Sequence, residues 1–594
     1  MVKRNKLLSL LLVFVLLAGV FTTAAAAPGV YTGSGDSMIG GAGSIKVEVT
    51  LGDGDEILSV TITDTNETPG IADAAIDATP KAIVAQQSIA VDAVSGATMT
   101  SDAIVAAVED ALTAAGADIE RFKTKVEKEV EKAADADLTA DVVIIGAGGA
   151  GLAAALTAEQ NGASVIVLEK MPKVGGNTIL AGGALNAVDD RSETAIAHND
   201  SVEWHYTQTL QGGDFEGDPL LVHTLVRNAW SGVEWLKGLG MEFLDGTFTV
   251  AGGLWPRAHK PVDPVGTGFF KTYTRYIDGN DNIELLFNTT VTEITKDADG
   301  RVSGVVATGE TGNVVTVKAN KGVIIATGGF SQNIEMRTQH NVQWADLGTG
   351  ILSTNHPGAT GDGIFMAQAL GANAIQMGNI QLLPLGDPET GSLSGNIEQD
   401  VEKRIFVNKE GNRFVDEGAR RDVMTAALFE QADNFMWIIV DSHSYPTGDV
   451  KNNFNESIDE LVAAGRAFKG ETLAELAETI GVPVENLVAA VDEFNAHVES
   501  KEADAFGRTL YSEKLDKGPF YAGARVPTVH HTMGGIQINV DAQVIAVDGE
   551  IIPGLYAAGE VTGGIHGTNR LGGNALTDAL VFGRIAGTSA SESK

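Results

Sequence analysis

Residues 140–151 read Ala140-Asp141-Val142-Val143-Ile144-Ile145-Gly146-Ala147-Gly148-Gly149-Ala150-Gly151. A short run of β-branched residues closed by glycine is the pattern of a buried strand. Leu152 to Gln160 continues with helical patterning, and Ser164 to Leu168 reads as a second strand ending in Glu169. Strand, Gly-x-Gly-x-x-Gly, helix, strand and terminal acid together make the βαβ unit that binds a dinucleotide. Gly146 makes the tight turn and Gly148 lets the backbone approach a pyrophosphate. Gly151 lets the helix pack on the strand. Gly149 and Ala150 fill out the loop, and the N-terminus of the helix that follows faces the phosphates. Glu169 is placed to accept from the adenosine ribose hydroxyls.

Two segments further along favour FAD over NAD. Gly175-Gly176-Asn177-Thr178 and Ala181-Gly182-Gly183 put glycine-rich backbone just after the ribose-binding acid. Val323 to Thr327-Gly328-Gly329 is a strand ending in a second glycine turn. A large cofactor needs such extra close approaches of the backbone. The C-terminal part adds Val529-His530-His531-Thr532-Met533-Gly534-Gly535 and the block from Tyr556 to Leu576, which holds Gly559, Glu560, Arg570, Gly573, Asn574 and Ala575. Histidine and arginine can hold and polarise a carboxylate.

These motifs resemble the flavoprotein family of fumarate reductase, succinate dehydrogenase and L-aspartate oxidase, and most of all the flavocytochrome c type of fumarate reductase. The resemblance covers roughly 137–590 and implies a Rossmann-like α/β FAD-binding domain with an inserted α+β capping domain. It implies FAD contacts from Gly146, Gly148, Gly149, Ala150, Gly151, Glu169, Lys170, Gly176, Asn177, Thr178, Gly182, Gly183, Thr327, Gly328, Gly329, Asp362, His531, Gly559, Glu560 and Arg570. Gly573, Asn574, Ala575 and Leu576 are to run along the flavin at a helix N-terminus. His530 and Arg570 match the family's carboxylate-binding pair. Counting from Gly411-Asn412-Arg413-Phe414, the family's catalytic arginine falls on Arg421. An arginine, with its ordinary pKa above about 12, needs burial and a nearby carboxylate to act as an acid. Asp422, Glu417 and Asp416 are the near candidates in sequence, whereas Arg413 and Arg420 read as surface ion pairs. The implied reaction is hydride transfer from reduced FAD to the β-carbon of an α,β-unsaturated carboxylate, with Arg421 protonating the α-carbon.

The pattern departs from the family at the start of the insert. A family His-Pro-Thr segment is replaced by Gln381-Leu382-Leu383-Pro384-Leu385-Gly386. The histidine expected to bind a second carboxylate is therefore missing. Glu398 stands in a loosely matched proton-relay position, with Lys403 or Arg404 as its basic partner. The expectation is a 2-enoate whose distal group is not a carboxylate: urocanate, a cinnamate-type acid or a small acrylate, with fumarate retained as the analogue case.

The N-terminal part adds a second flavin. Asp92-Ala-Val-Ser95-Gly96-Ala97-Thr98-Met-Thr100-Ser101 resembles the flavinylation motif of FMN-binding domains, in which a flavin transferase links FMN to the threonine, here Thr98. Thr100 is the alternative acceptor. The plain alternative is a helix N-cap ahead of a Ser101–Ala114 helix. The domain reading is a signal peptide over 1–27, a small α+β FMN-binding domain over 30–116 and a linker helix over 117–136. The FAD domain follows over 137–379 and 529–594, with the cap over 380–528. Lys3, Arg4 and Lys6 precede an apolar run from Leu7 to Val20 and a small-residue site at Ala24–Ala27, the signature of export. Outside the cytoplasmic membrane, electrons are expected from a membrane quinol dehydrogenase or a flavin or cytochrome carrier. A net charge of −37 argues against nucleic acid as a partner. The lack of cysteine excludes disulfides, iron–sulfur ligation and c-type haem attachment in this chain. Two other readings stand beside the reductase: an oxidase or dehydrogenase of the same fold, and an exported flavin carrier.

Overall fold

The structure, a computed structural model, describes residues 26–37, 41–67, 72–94, 97–125, 132–398 and 400–594. Residues 1–25 of the expected signal, and Ser95 and Gly96 of the flavin motif, lie outside them. Among the described residues no helix is long and apolar enough to cross a membrane.

The N-terminal domain is an antiparallel meander of β1 (Gly29–Ser37), β2 (Gly41–Leu51) and β3 (Ile57–Thr65), with α1 (Asp73–Gln86) and α2 (Thr98–Ala115) beside it. In β2, Ile45, Val47, Val49 and Leu51 are buried and Lys46 and Glu48 are exposed, the period-2 pattern of a sheet with one dry face. That dry face shares one core with Ile104, Ala107, Val108 and Ala111 of α2. α2 starts at Thr98, three residues before the expected Ser101. Of the linker helix expected over 117–136, residues 126–131 lie outside the described residues; among the described ones α3 (Ile119–Phe122) is helical and β4 (Ala136–Ile145) begins at Ala136. Phe122 is fully buried in the small domain, and the Ser88 hydroxyl is 2.7 Å from Phe122 O and 2.8 Å from Thr124 O. The start of the segment is thus tied to the small domain.

The larger unit is built on a parallel sheet. β4 is followed by α4 (Gly149–Gln160), β5 (Val165–Leu168), β6 (Ile283–Leu286) and β7 (Val314–Ile325). The cap supplies β8 (Ile380–Gly386), α5 (Arg421–Phe429), β9 (Met436–Asp441) and β10 (Phe520–Thr532). β11 (Ile551–Ala557) and α6 (Asn574–Glu592) return to the first sheet, whose parallel order is β11-β7-β4-β5-β6. Val142 to Ile144 and the four residues of β5 are buried on both faces, as a sheet covered by helices requires. Gly151 is needed where α4 meets β4: a Cβ there would lie 1.9 Å from Gly146 O.

The cap sheet runs β8-β10-β9, all antiparallel. β10 runs unbroken through residues 528 and 529, so one strand belongs to the cap at one end and carries His530 and His531 at the other. The β8–β10 ladder pairs Gln381 with His531 and Leu382 with Val529, so His530 is the extra residue of a β-bulge. A bulge re-aims side chains, and it does so here beside the cleft.

Candidate active site

One continuous cleft lies between the parallel sheet and the cap. Every expected FAD-site and substrate-site residue lines it except Gly151, Gly329 and Asn574. Gly151 is used up in helix packing. Gly329 lies against Glu560, where a Cβ would come within 2.7 Å of Oε1. Asn574 is fully buried behind the start of α6. Its Oδ1 accepts from Asn186 Nδ2 (2.8 Å) and His205 Nε2 (3.0 Å), and its Nδ2 donates to Thr209 Oγ1 (3.1 Å). The side chain braces the helix start and leaves Gly573, Ala575 and Leu576 to face the cleft.

The cleft fits FAD on its own geometry. A Cβ on Gly182 or Gly328 would meet nothing within 4 Å, so bare backbone is laid open along the slot. Thr327 Oγ1 and His531 Nε2, both on residues of its wall, are buried without a hydrogen-bond partner. Glu169 accepts from the backbone N–H of Ala147 (2.7 Å) and Met171 (2.9 Å), one on each oxygen, leaving lone pairs on both for ribose hydroxyls. Lys170 donates to Asp362 (2.5 Å) and Thr360 (2.7 Å). Glu560 accepts from Thr532 N–H (3.0 Å) and Asn177 Nδ2 (2.7 Å), and burial still pushes its carboxyl up. Its Oε1 lies 3.6 Å from His531 Nδ1. Burial, then Arg570, holds the His531 imidazole well below its usual range.

Two arginines converge at the far end of the slot. Arg421 is the first residue of α5, and its Nε donates to Ala251 O (3.0 Å). Gly252 lies against it at φ +67°, where a Cβ would sit 2.7 Å from Arg421 Cγ. Arg570 Nη1 donates to Leu571 O (3.0 Å), and its buried Nε has no partner. Both guanidiniums donate to one oxygen, Gln381 Oε1, from Arg421 Nη1 at 3.2 Å and Arg570 Nη2 at 2.9 Å. Gln381 is fixed from behind, since its Nε2 donates to Asn569 Oδ1 (2.9 Å) and Arg570 O (2.8 Å). Among the described residues neither arginine is in salt-bridge contact with a carboxylate. Burial, and then Arg570, holds Arg421 well below the usual arginine range, and burial brings Arg570 down to about 10. His530 is near enough that both arginines add to burial in keeping its imidazole neutral. Its Nδ1 lies 2.8 Å from Thr354 Oγ1.

The acids expected to serve Arg421 do not reach it. Asp422 is paired with Arg420 (2.8 Å), which also binds Asp214 (2.7 Å). Asp416 accepts from Gly418 N–H. Glu417 is fully buried between Arg413 and Arg508. Arg413 is thus no surface ion pair. Its side chain is 1% exposed and also binds Asp504 (2.7 Å), because the cap folds around this cluster. Arg420 is an ion pair as expected, but a partly buried one, its side chain 23% exposed. Glu398 lines the cleft and pairs with fully buried Arg404, while Lys403 turns away to Glu513. Sequence reading also passed over the positioning groups Thr354, Ala251 and His205, which carry no motif. Gln381 was visible only as a departure from the family pattern.

In the small domain Thr98 is exposed at the first position of α2, and that helix takes no side-chain cap. The N-cap residue is Ala97, so the capping alternative for Thr98 fails. Thr100 is buried and donates to Glu67 (2.6 Å), which removes it as an accessible acceptor.

Comparison with known proteins agrees with this architecture. The family described as FAD binding domain matches residues 141–576, and that described as FMN-binding domain matches 40–113. The chain is 39% identical to the urocanate reductase of Eggerthella lenta, covering 93% of this chain and 91% of that one. It is 36% identical to the NADH:acrylate oxidoreductase of Vibrio harveyi, covering 93% of this chain but only 60% of that longer protein. The open conformation of a flavocytochrome c3 fumarate reductase superposes with a TM-score of 0.61 at 34% identity, over 77% of this chain and 78% of that one. The chain therefore belongs to the FAD-binding flavoprotein oxidoreductases of the fumarate reductase type, with an FMN-binding domain in front.

Proposed function

We propose that the protein reduces the double bond of a 2-enoate. The observation that carries this reading is the pair of buried guanidiniums, Arg421 and Arg570, with no carboxylate between them among the described residues and neutral His530 alongside. Two cations buried this way are costly unless an anion joins them. A substrate carboxylate is that anion. Arg570 supplies a fork, with its free Nε available, and His530 supplies an N–H. In the tautomer whose Nδ1 accepts from Thr354, Nε2–H of His530 is left to donate to the substrate. Together they draw electron density from the double bond, so that enolate-like charge develops against fixed cations. Arg421, held below its ordinary pKa, gives its proton to the α-carbon. When bound, FAD supplies the hydride, and FMN on Thr98 supplies the link to a membrane electron donor. The FMN is attached by a flavin transferase, and the 1–27 segment directs export.

The test is a panel of 2-enoates offered to the flavin-loaded protein with reduced viologen. Turnover of at least one is expected. Arg421→Ala should lower kcat by about 10³-fold or more, in the range of a lost acid plus a lost cation, with FAD absorbance retained. A variant keeping most of its activity would remove Arg421 as the acid.

A further inference from the structure

Beyond the arginines the wall of the cleft turns apolar. In β8, residues two apart share a face. Gln381, Leu383 and Leu385 are such a row, and Leu383 and Leu385 line the cleft while Leu382 and Pro384 do not. Gln381 marks the anchored end, because both arginines hold it. At roughly 3.3 Å per residue, Leu383 lies ~7 Å further along the strand, and Leu385 follows within an irregular stretch of the ladder. Phe248, Leu393 and Phe454 line the same cleft, each half-buried. Leu383 and Leu385 also belong to the cap core, so this wall is rigid.

The charges available there are spent. Glu398 is the one cap carboxylate on the cleft among the described residues, and its partner is fully buried Arg404. The Arg404 charge beside it offsets its pull on a cationic substituent. Apart from the arginine pair, the cleft-lining cation is Lys170, which is bound to Asp362. A second carboxylate laid against Leu383 would lose its water and, among the described residues lining the cleft, find no free cation, only the amides of Asn396 and Asn453.

We infer that Leu383, Leu385, Leu393, Phe248 and Phe454 form the subsite for the β-substituent of the enoate, and that this subsite takes an uncharged, apolar, ring-sized group. The inference rests on the proposed enoate site, and the experiment separates the two. Cinnamate, urocanate and fumarate are compared as substrates of the flavin-loaded full chain. Binding of the saturated acids 3-phenylpropionate and succinate is followed by thermal shift. The expected result is a kcat/KM for cinnamate at least ~100-fold above that for fumarate, the scale on which an apolar pocket rewards a buried ring. Cinnamate should also exceed urocanate, and 3-phenylpropionate should stabilise where succinate does not. Leu383→Arg should lower cinnamate turnover and raise that of fumarate. Leu393→Arg, at a half-buried position, gives the same reading if the first variant fails to fold. A wild type that prefers fumarate or urocanate, or binds succinate as well as 3-phenylpropionate, overturns the subsite while leaving the enoate site standing. No turnover of any of the three, with neither saturated acid bound, overturns both.

Discussion

Arg421 and Arg570 stand on different parts of the chain, yet their guanidiniums donate to the same oxygen, Gln381 Oε1, at 3.2 and 2.9 Å. One neutral oxygen holds two buried cations at a fixed separation without cancelling either charge. Replacing it tests whether that neutrality matters. Gln381→Glu puts a carboxylate between the arginines. It should raise the Tm, because a buried ion triad forms, and should lower kcat/KM by about 10–100-fold, because the substrate anion now competes with a resident one. Gln381→Leu should lower both, since an unpaired buried donor costs about 1–3 kcal/mol. Steady-state kinetics with melting curves decide between these outcomes. A faster Gln381→Glu enzyme would contradict the carboxylate-binding role of the pair.

His530 depends on Thr354 for its orientation. Thr354→Val keeps the shape and removes the 2.8 Å contact to Nδ1. The imidazole is then free to take the other tautomer or rotate, so the substrate loses a donor. The expected effect is a KM about 5–20-fold higher with kcat changed less, in line with one hydrogen bond to a charged group. Thr354→Ser should restore most of the affinity. An unchanged KM in Thr354→Val would show that His530 is held by packing alone.

The Asn574 network makes stability depend on pH. Burial, then the charge of Arg257, lowers His205 from 6.5 to about 3. The unfolded chain therefore takes up a proton near 6.5 that the folded chain refuses until about 3. The stabilisation is complete above the unfolded value and is lost as pH falls from about 6.5 towards 3, by a few kcal/mol at most at about 1.4 kcal/mol per unit. His205→Gln retains an amide donor for Asn574 Oδ1 and removes the titration. Its unfolding free energy should fall less steeply over that window, by about one proton. Equal slopes for both proteins would place the titration elsewhere.

The exposed Thr98 hydroxyl is the expected FMN acceptor. Co-expression with a flavin transferase should add one FMN to the intact mass of the wild type and none to Thr98→Ala. Thr100→Val should keep the added mass and lower the Tm of the small domain, since it cuts the bond to Glu67. FMN mass retained in Thr98→Ala and lost in Thr100→Val would reverse the assignment.

The cofactor loop was legible in the sequence because its constraints are local. Gly151 meets Gly146 O five residues back, and Gly146 meets Ala326 at the end of the adjoining strand. Asn574 shows the limit of motif reading. Its place at a helix N-terminus is clear from sequence, but the direction of its side chain depends on Asn186, His205 and Thr209, far away in the chain. Arg413 shows the same limit for charge. A charged residue in a polar segment reads as surface until Glu417 and Asp504 are found closing over it.

The sequence by itself determined the βαβ loop, the FAD-type glycine turns and the presence of His530, Arg570 and Arg421. Only the tertiary structure decided that the two arginines share Gln381, which lies 189 residues from Arg570. Only it showed that His530 sits in a bulge and that Leu383 and Leu385 wall the slot. The physical reason is reach. Backbone turns and strand alternation act between neighbours in sequence. Buried charge is balanced by whatever the fold brings within a few ångströms, and that partner is set by how β8 of the cap pairs with β10.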